Sequence, residues 1–159
     1  PVARLYLGAL GRSPDRGGLA FWTAKHRSGV LLVELARQIV GSPEFVQKYG
    51  HPTDTAYVDL VYAHVMARAP DAGGEAYWTA MLAGGESRAE VMRNFTESPE
   101  YKAKSKALVQ DTVVYLGMLQ RLPDSSALTW WTGKVAADAP VRDLVAQVRT
   151  SDEYANKVG

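Results

Sequence analysis

The pattern Arg-x-Pro-Asp occurs three times, as Arg12 to Asp15, Arg68 to Asp71 and Arg121 to Asp124, at successive offsets of 56 and 53 residues. Its surroundings keep the same two offsets. A Tyr precedes each Arg (Tyr6, Tyr62, Tyr115), a Trp follows it (Trp22, Trp78, Trp131), and a Ser-Pro/Asp-Glu-aromatic closes each segment (Ser42 to Phe45, Ser98 to Tyr101, Ser151 to Tyr154). Self-similarity at a fixed period of this length is the mark of one supersecondary unit used repeatedly. The spacing inside the unit is constant, so the three-residue difference between the offsets falls at the junctions. The boundaries read as 1–50, 54–106 and 107–159.

Each unit reads as three helices and a short fourth. Val2, Leu5, Tyr6, Ala9 and Leu10 recur at helical spacing, and Val58, Val61, Tyr62, Val65 and Met66 repeat that stripe, so the first helix presents one apolar face. Pro-Asp then opens a second helix. Asp15, Asp71 and Asp124 are placed as N-caps, a role that contributes about 1 kcal/mol. They also stand where they can accept the Arg that precedes them. A third helix follows Gly29, Gly85 or Asp138 and buries Leu35, Ala36 and Ile39, with counterparts Val91, Met92, Phe95 and Leu144, Val145, Val148. Ser87-x-x-Glu90 has the form of a capping box. Ser42-Pro43-Glu44 starts the short helix with an N-cap, a proline at the first position and a carboxylate against the dipole. The fold expected is all-α, with three tandem helical repeats packed as a compact helical array. Gly50-His51-Pro52 breaks the first junction, whereas no Gly or Pro lies between Glu100 and Leu116, so the second junction is expected to be one stiff helix and the first a looser one.

Composition bounds the function. Lys and Arg total 18 against 17 Asp and Glu, a net charge of +1, so no global field draws in nucleic acid or an anionic membrane. The apolar runs are far shorter than a membrane span. With no cysteine, disulfides and thiolate metal sites are excluded while the compartment stays open. The chain opens at Pro1, which reads as a mature product or a piece of a longer protein.

The repeated residues are those that start, stop and pack helices, and they do not form a catalytic set. His26, His51 and His64 occupy non-equivalent positions, and no phosphate-cradling glycine loop or HExxH helix is present. A calcium loop would need several carboxylates, and each Arg-x-Pro-Asp loop supplies one. The chain is therefore expected to be non-catalytic, without metal or cofactor. Trp22, Trp78 and Trp131 share a mostly apolar face and should point to the core. Beside each sits a second aromatic, Phe21, Tyr77 or Trp130, about 100° around the helix. Four residues on are Lys25, Met81 and Lys134. These second rings either form an exposed surface for stacking a sugar or anchoring a protein, or fill the seams between neighbouring units. Lys102, Lys104 and Lys106 read as a solvated helical face.

The full pattern is Gly-Arg-x-Pro-Asp-x-x-Gly-Leu-x-x-Trp followed by Ser-Pro-Glu-Phe. It stands almost complete in Gly11, Arg12, Pro14, Asp15, Gly18, Leu19, Trp22 and Ser42 to Phe45. On these residues the chain resembles the bacterial domain-of-unknown-function family numbered 4214, in three tandem copies. Unit two carries Glu75 for Leu19, and unit three carries Ala127 for Gly18 and Asp152 for Pro43. The resemblance implies a module of large secreted or surface bacterial proteins and implies no ligand.

The expectation for function is an extracellular binding module that attaches a larger bacterial protein to a glycan or cell-envelope polymer. Phe21, Lys25, Tyr77, Trp130 and Lys134 would be the contact residues, with Arg12, Asp15, Arg68, Asp71, Arg121 and Asp124 as structural loop residues. The alternatives are a protein-protein or assembly scaffold and, more remotely, a calcium-stabilised structural module.

Overall fold

The apolar stripes become helices in the computed structural model, which describes residues 1–158. The order is α1 (Val2–Leu10), α2 (Arg16–Arg27), α3 (Leu32–Val40), α4 (Pro43–Tyr49), α5 (Asp54–Val61), a π-helical turn (Tyr62–Met66), α6 (Ala72–Ala83), α7 (Arg88–Thr96), α8 (Pro99–Met118), α9 (Ser125–Ala136), α10 (Val141–Arg149) and α11 (Asp152–Val158). Among the described residues there is no strand. The chain is all-α.

Helix ends follow local chemistry. Asp15, Asp71 and Asp124 accept the amides of Gly18, Gly74 and Ala127 at 2.8 Å, which fixes the start of α2, α6 and α9. Ser42, Ser98 and Ser151 accept from the third residue on, with Pro43 and Pro99 at the first helical position. Ser87 accepts from Glu90, but the return leg of the expected box comes from Glu86, whose carboxylate takes the Ser87 amide while Glu90 pairs with Arg93. Left-handed residues end the helices at matching places. Gly11, Ala67 and Gln120 follow α1, the π-helical turn and α8, and Gly29, Gly85 and Asp138 precede α3, α7 and α10.

Packing divides the molecule unequally. One core draws on α1 to α8, from Val2 to Tyr101, and includes Leu5, Leu35, Ile39, Tyr57, Val91 and Met92. Its most extensive helix pairing is α3 on α7. Gly8 lets α1 come close, since a Cβ there would lie 2.5 Å from the Thr96 methyl group. The second core is small, with Val114, Leu119, Trp131, Leu144 and Val148 buried. The uninterrupted stretch after Glu100 is helical as expected, for α8 runs 20 residues and carries the second core at its far half. The Gly50-His51-Pro52 break is present at the end of α4, yet the helices on either side of it share one core. Covalent looseness at that junction is overridden by burial.

Candidate functional site

Adjacent residues on a helix diverge by about 100°, so each Asp-capped helix must aim its two neighbouring rings differently. Trp131 is fully buried, and Trp22 and Trp78 are half-buried against the larger core. The neighbouring ring then faces out: Phe21 is 53% exposed, Tyr77 56% and Trp130 41%. Phe21 meets Trp22 edge to face at 5.0 Å and Tyr77 meets Trp78 in the same way at 5.0 Å, while Trp130 lies tilted on Trp131 at 5.9 Å. The inner ring thus props the outer one without covering it.

Cations complete two of the three positions. Lys25 Nζ sits 4.7 Å from the Phe21 centroid and donates to Gln38 Oε1 at 2.7 Å. Lys134 Nζ is 5.5 Å from the Trp130 centroid. At Tyr77 the corresponding residue is Met81, and among the described residues no cation is placed over that ring. Phe21 and Lys25 line an open cleft of about 480 Å³ together with Trp22, Gln38 and Ser42. Trp130 lines another, of about 300 Å³, with Tyr115, Asp124, Ser126 and Gln147. Gln38 and Gln147 stand at the same place in their units, so both clefts offer an amide beside an aromatic ring. Tyr77 stands apart, and the cleft beside α6 is lined by Thr55, Glu75 and Thr79 instead. The structure brings Phe21 to Lys25 and Trp130 to Lys134. It keeps the three outer rings on three separate helices.

The loop arginines do something other than reach the capping aspartates. Arg12 forms a two-pronged pair with Glu44 at 2.6 and 2.8 Å and lies 5.0 Å from the Tyr6 centroid. Arg121 repeats this with Glu153 at 2.7 Å and with Tyr115 at 5.1 Å. The planar guanidinium fits a carboxylate and a ring face at once. Its hydrogen bonds hold the Glu44 and Glu153 carboxyls below their ordinary range. Only Arg121 comes within 4.0 Å of its loop aspartate, at 3.9 Å. The expected Arg-to-Asp contact is thereby corrected, because the cap engages the aspartate and the glutamate of the following short helix is better placed. In the middle segment Arg68 stacks on Tyr62 at 5.2 Å and shares a cleft of about 230 Å³ with Trp78, Asn94 and Glu100, but among the described residues it forms no ion pair there. The π-helical turn directly ahead of Arg68 is the local difference from α1 and α8.

Three lysines were not legible as a set. Lys48, Lys104 and Lys157 donate to the carbonyls of Leu10, Met66 and Leu119 at 2.7, 2.7 and 2.6 Å, closing the ends of α1, the π-helical turn and α8. Cations belong at helix C-termini. Their shared offsets of 56 and 53 were the available signal. Lys104 is therefore not part of a merely solvated face, and Lys102 pairs with Glu97 at 2.9 Å.

His26 contacts the Val30 carbonyl through Nδ1, and His64, its pKa lowered by burial and by nearby Lys48, faces Tyr49. Among the described residues no group of three or more His, Cys, Asp or Glu is gathered as a metal site, and no helix is long and apolar enough to cross a membrane. Residues 36–105, a stretch that runs from α3 into α8, match the family model described as a domain of unknown function (DUF4214). No curated protein and no solved structure matches the chain.

Proposed function

From a chain whose residues 36–105 match the DUF4214 model, a domain of unknown function, we propose a non-catalytic module that binds a glycan or cell-envelope polymer on the outside of a bacterium. One observation carries this reading: Phe21, Tyr77 and Trp130 are held exposed at the same place on three successive Asp-capped helices. Exposed rings bind the apolar face of a sugar, and the amide and ammonium groups beside Phe21 and Trp130 suit its hydroxyls. Weak stations on one chain add by avidity when the ligand is a polymer. The clefts are open and shallow, which suits a polymer lying across them better than an enclosed small molecule. The extracellular placement rests on the family resemblance. A calcium-stabilised loop is less well supported, since the one aspartate in each loop already accepts a backbone amide.

The test is binding to a glycan array and to cell-wall fractions, with a Phe21→Ala, Tyr77→Ala, Trp130→Ala variant of unchanged circular dichroism beside the wild type. Loss of binding in the variant is the expected outcome. Absence of any wild-type binding would sink the proposal, and so would a variant that binds as well as the parent.

A further inference from the structure

The third helix of each segment meets a different fate. In α3 and α7 the equivalent residues Ala36 and Met92 are both fully buried, and the two helices pack on each other as the backbone of the larger core. The flanking residues Ala89 and Thr96 are buried with them. In α10 the matching residue is Val145, which is 37% exposed, and Val141 one turn earlier is 41% exposed. Only Leu144 and Val148 of α10 are buried, and its principal contacts are with α8 and α11.

The energetics point the same way. The larger core buries twenty apolar residues over two segments, whereas the second core buries five. A unit of about fifty residues buries too small a fraction of its surface to be comfortable alone, and stacked units solve this by covering one another. The first two segments do so through α3 and α7. The third has the corresponding helix face, which among the described residues is left exposed at Val141 and Val145.

We propose that this face is an interface with a second copy of the chain, α10 packing on its own counterpart about a two-fold axis. The pairing inside the chain is the precedent, since α3 and α7 are the same helix of two like segments meeting face to face. A face able to pack on its equivalent is self-complementary, which is what a two-fold dimer requires. Val141 and Val145 form its centre. Arg142 and Arg149, exposed where the larger core has buried Ala89 and Thr96, form a polar rim. A single helix pair with like charges at its rim gives a weak dimer, strengthened by salt as the arginines are screened. Two copies would also double the number of exposed rings, though the inference does not depend on what those rings bind.

Sedimentation velocity of the full chain from micromolar to near-millimolar concentration decides it. The expected result is a monomer that passes to a dimer as concentration rises, at lower concentration in high salt. Val145→Asp should weaken the dimer by about tenfold or more while leaving helicity and melting unchanged, because the residue is already partly in water. Leu31→Asp, on an exposed residue directly ahead of α3, should leave dimerisation intact. A wild type that stays monomeric throughout overturns the proposal and leaves the α10 face for a further segment of a longer protein. A dimer that Val145→Asp does not weaken overturns it as well, by placing the interface elsewhere.

Discussion

Asp111 stands in α8 where the equivalent residues of the first two segments are Val2 and Val58, both buried. It is itself fully buried, and among the described residues neither carboxylate oxygen has a hydrogen-bond partner. Burial first, and the carboxylate of Asp124 second, push its pKa up to about 6 from 3.8. The sign follows directly. Because the folded state holds this proton more tightly than the unfolded chain, the residue costs stability as pH rises from about 4 through about 6, and the cost is complete above that. A shift of this size corresponds to about 3 kcal/mol at most. Asp111→Val should therefore stabilise the protein by about 2 kcal/mol at neutral pH and by much less near pH 4.5. The measurement is urea unfolding of variant and parent at both pH values, compared as a difference so that depressed carboxyls such as Glu44 and Glu97 cancel. A variant no more stable than the parent at neutral pH would show that Asp111 is satisfied in a way this geometry does not include. Nothing in the local pattern of α8 marks the carboxylate as buried. Its position in the repeat does, because the two counterparts are core valines.

At the scale of the element, helix starts were legible and helix ends less so. Asp and Ser caps act within three residues of themselves, and they fall where the pattern places them. The ends depend on partners far along the chain, such as Lys48, 38 residues from the carbonyl it closes. They also depend on left-handed residues that are not all glycine. Ala67 has φ 51° where Gly11 has φ 65°. A Cβ in that region costs about 1 kcal/mol relative to glycine. Ala67→Gly should therefore raise stability, by somewhat under 1 kcal/mol once the added freedom of the unfolded chain is counted. Thermal or urea unfolding measures it, and a loss of stability would mean that the methyl group packs usefully. The π-helical turn ahead of it had no signature in the sequence, since Tyr62 to Met66 carries the same apolar spacing as α1.

For the whole molecule, the division into a large and a small core sets the order of opening. Amides of α9, α10 and α11 should exchange with solvent at lower free energy than those of α1, α3 and α7, because fewer apolar contacts hold them. Native-state hydrogen exchange at dilute concentration reads this directly. Equal protection in both regions would show that α8 couples the two cores into one cooperative unit.

The sequence by itself determined what is local and periodic. That covers the all-helical fold, the capped starts of α2, α6 and α9, the uninterrupted α8, and which ring of each aromatic pair turns inward, since caps and helical spacing act within a few residues. Whether Phe21, Tyr77 and Trp130 would fill seams or face water could not be read from spacing, because helical geometry gives a direction and not what lies there. Only tertiary packing decided that they are exposed, that Arg12 and Arg121 take Glu44 and Glu153 in preference to their neighbouring aspartates, and that the first two segments merge while α10 keeps a bare face. Those outcomes turn on which surfaces meet across many tens of residues. Burial, unlike capping, is a property of the partner as much as of the residue.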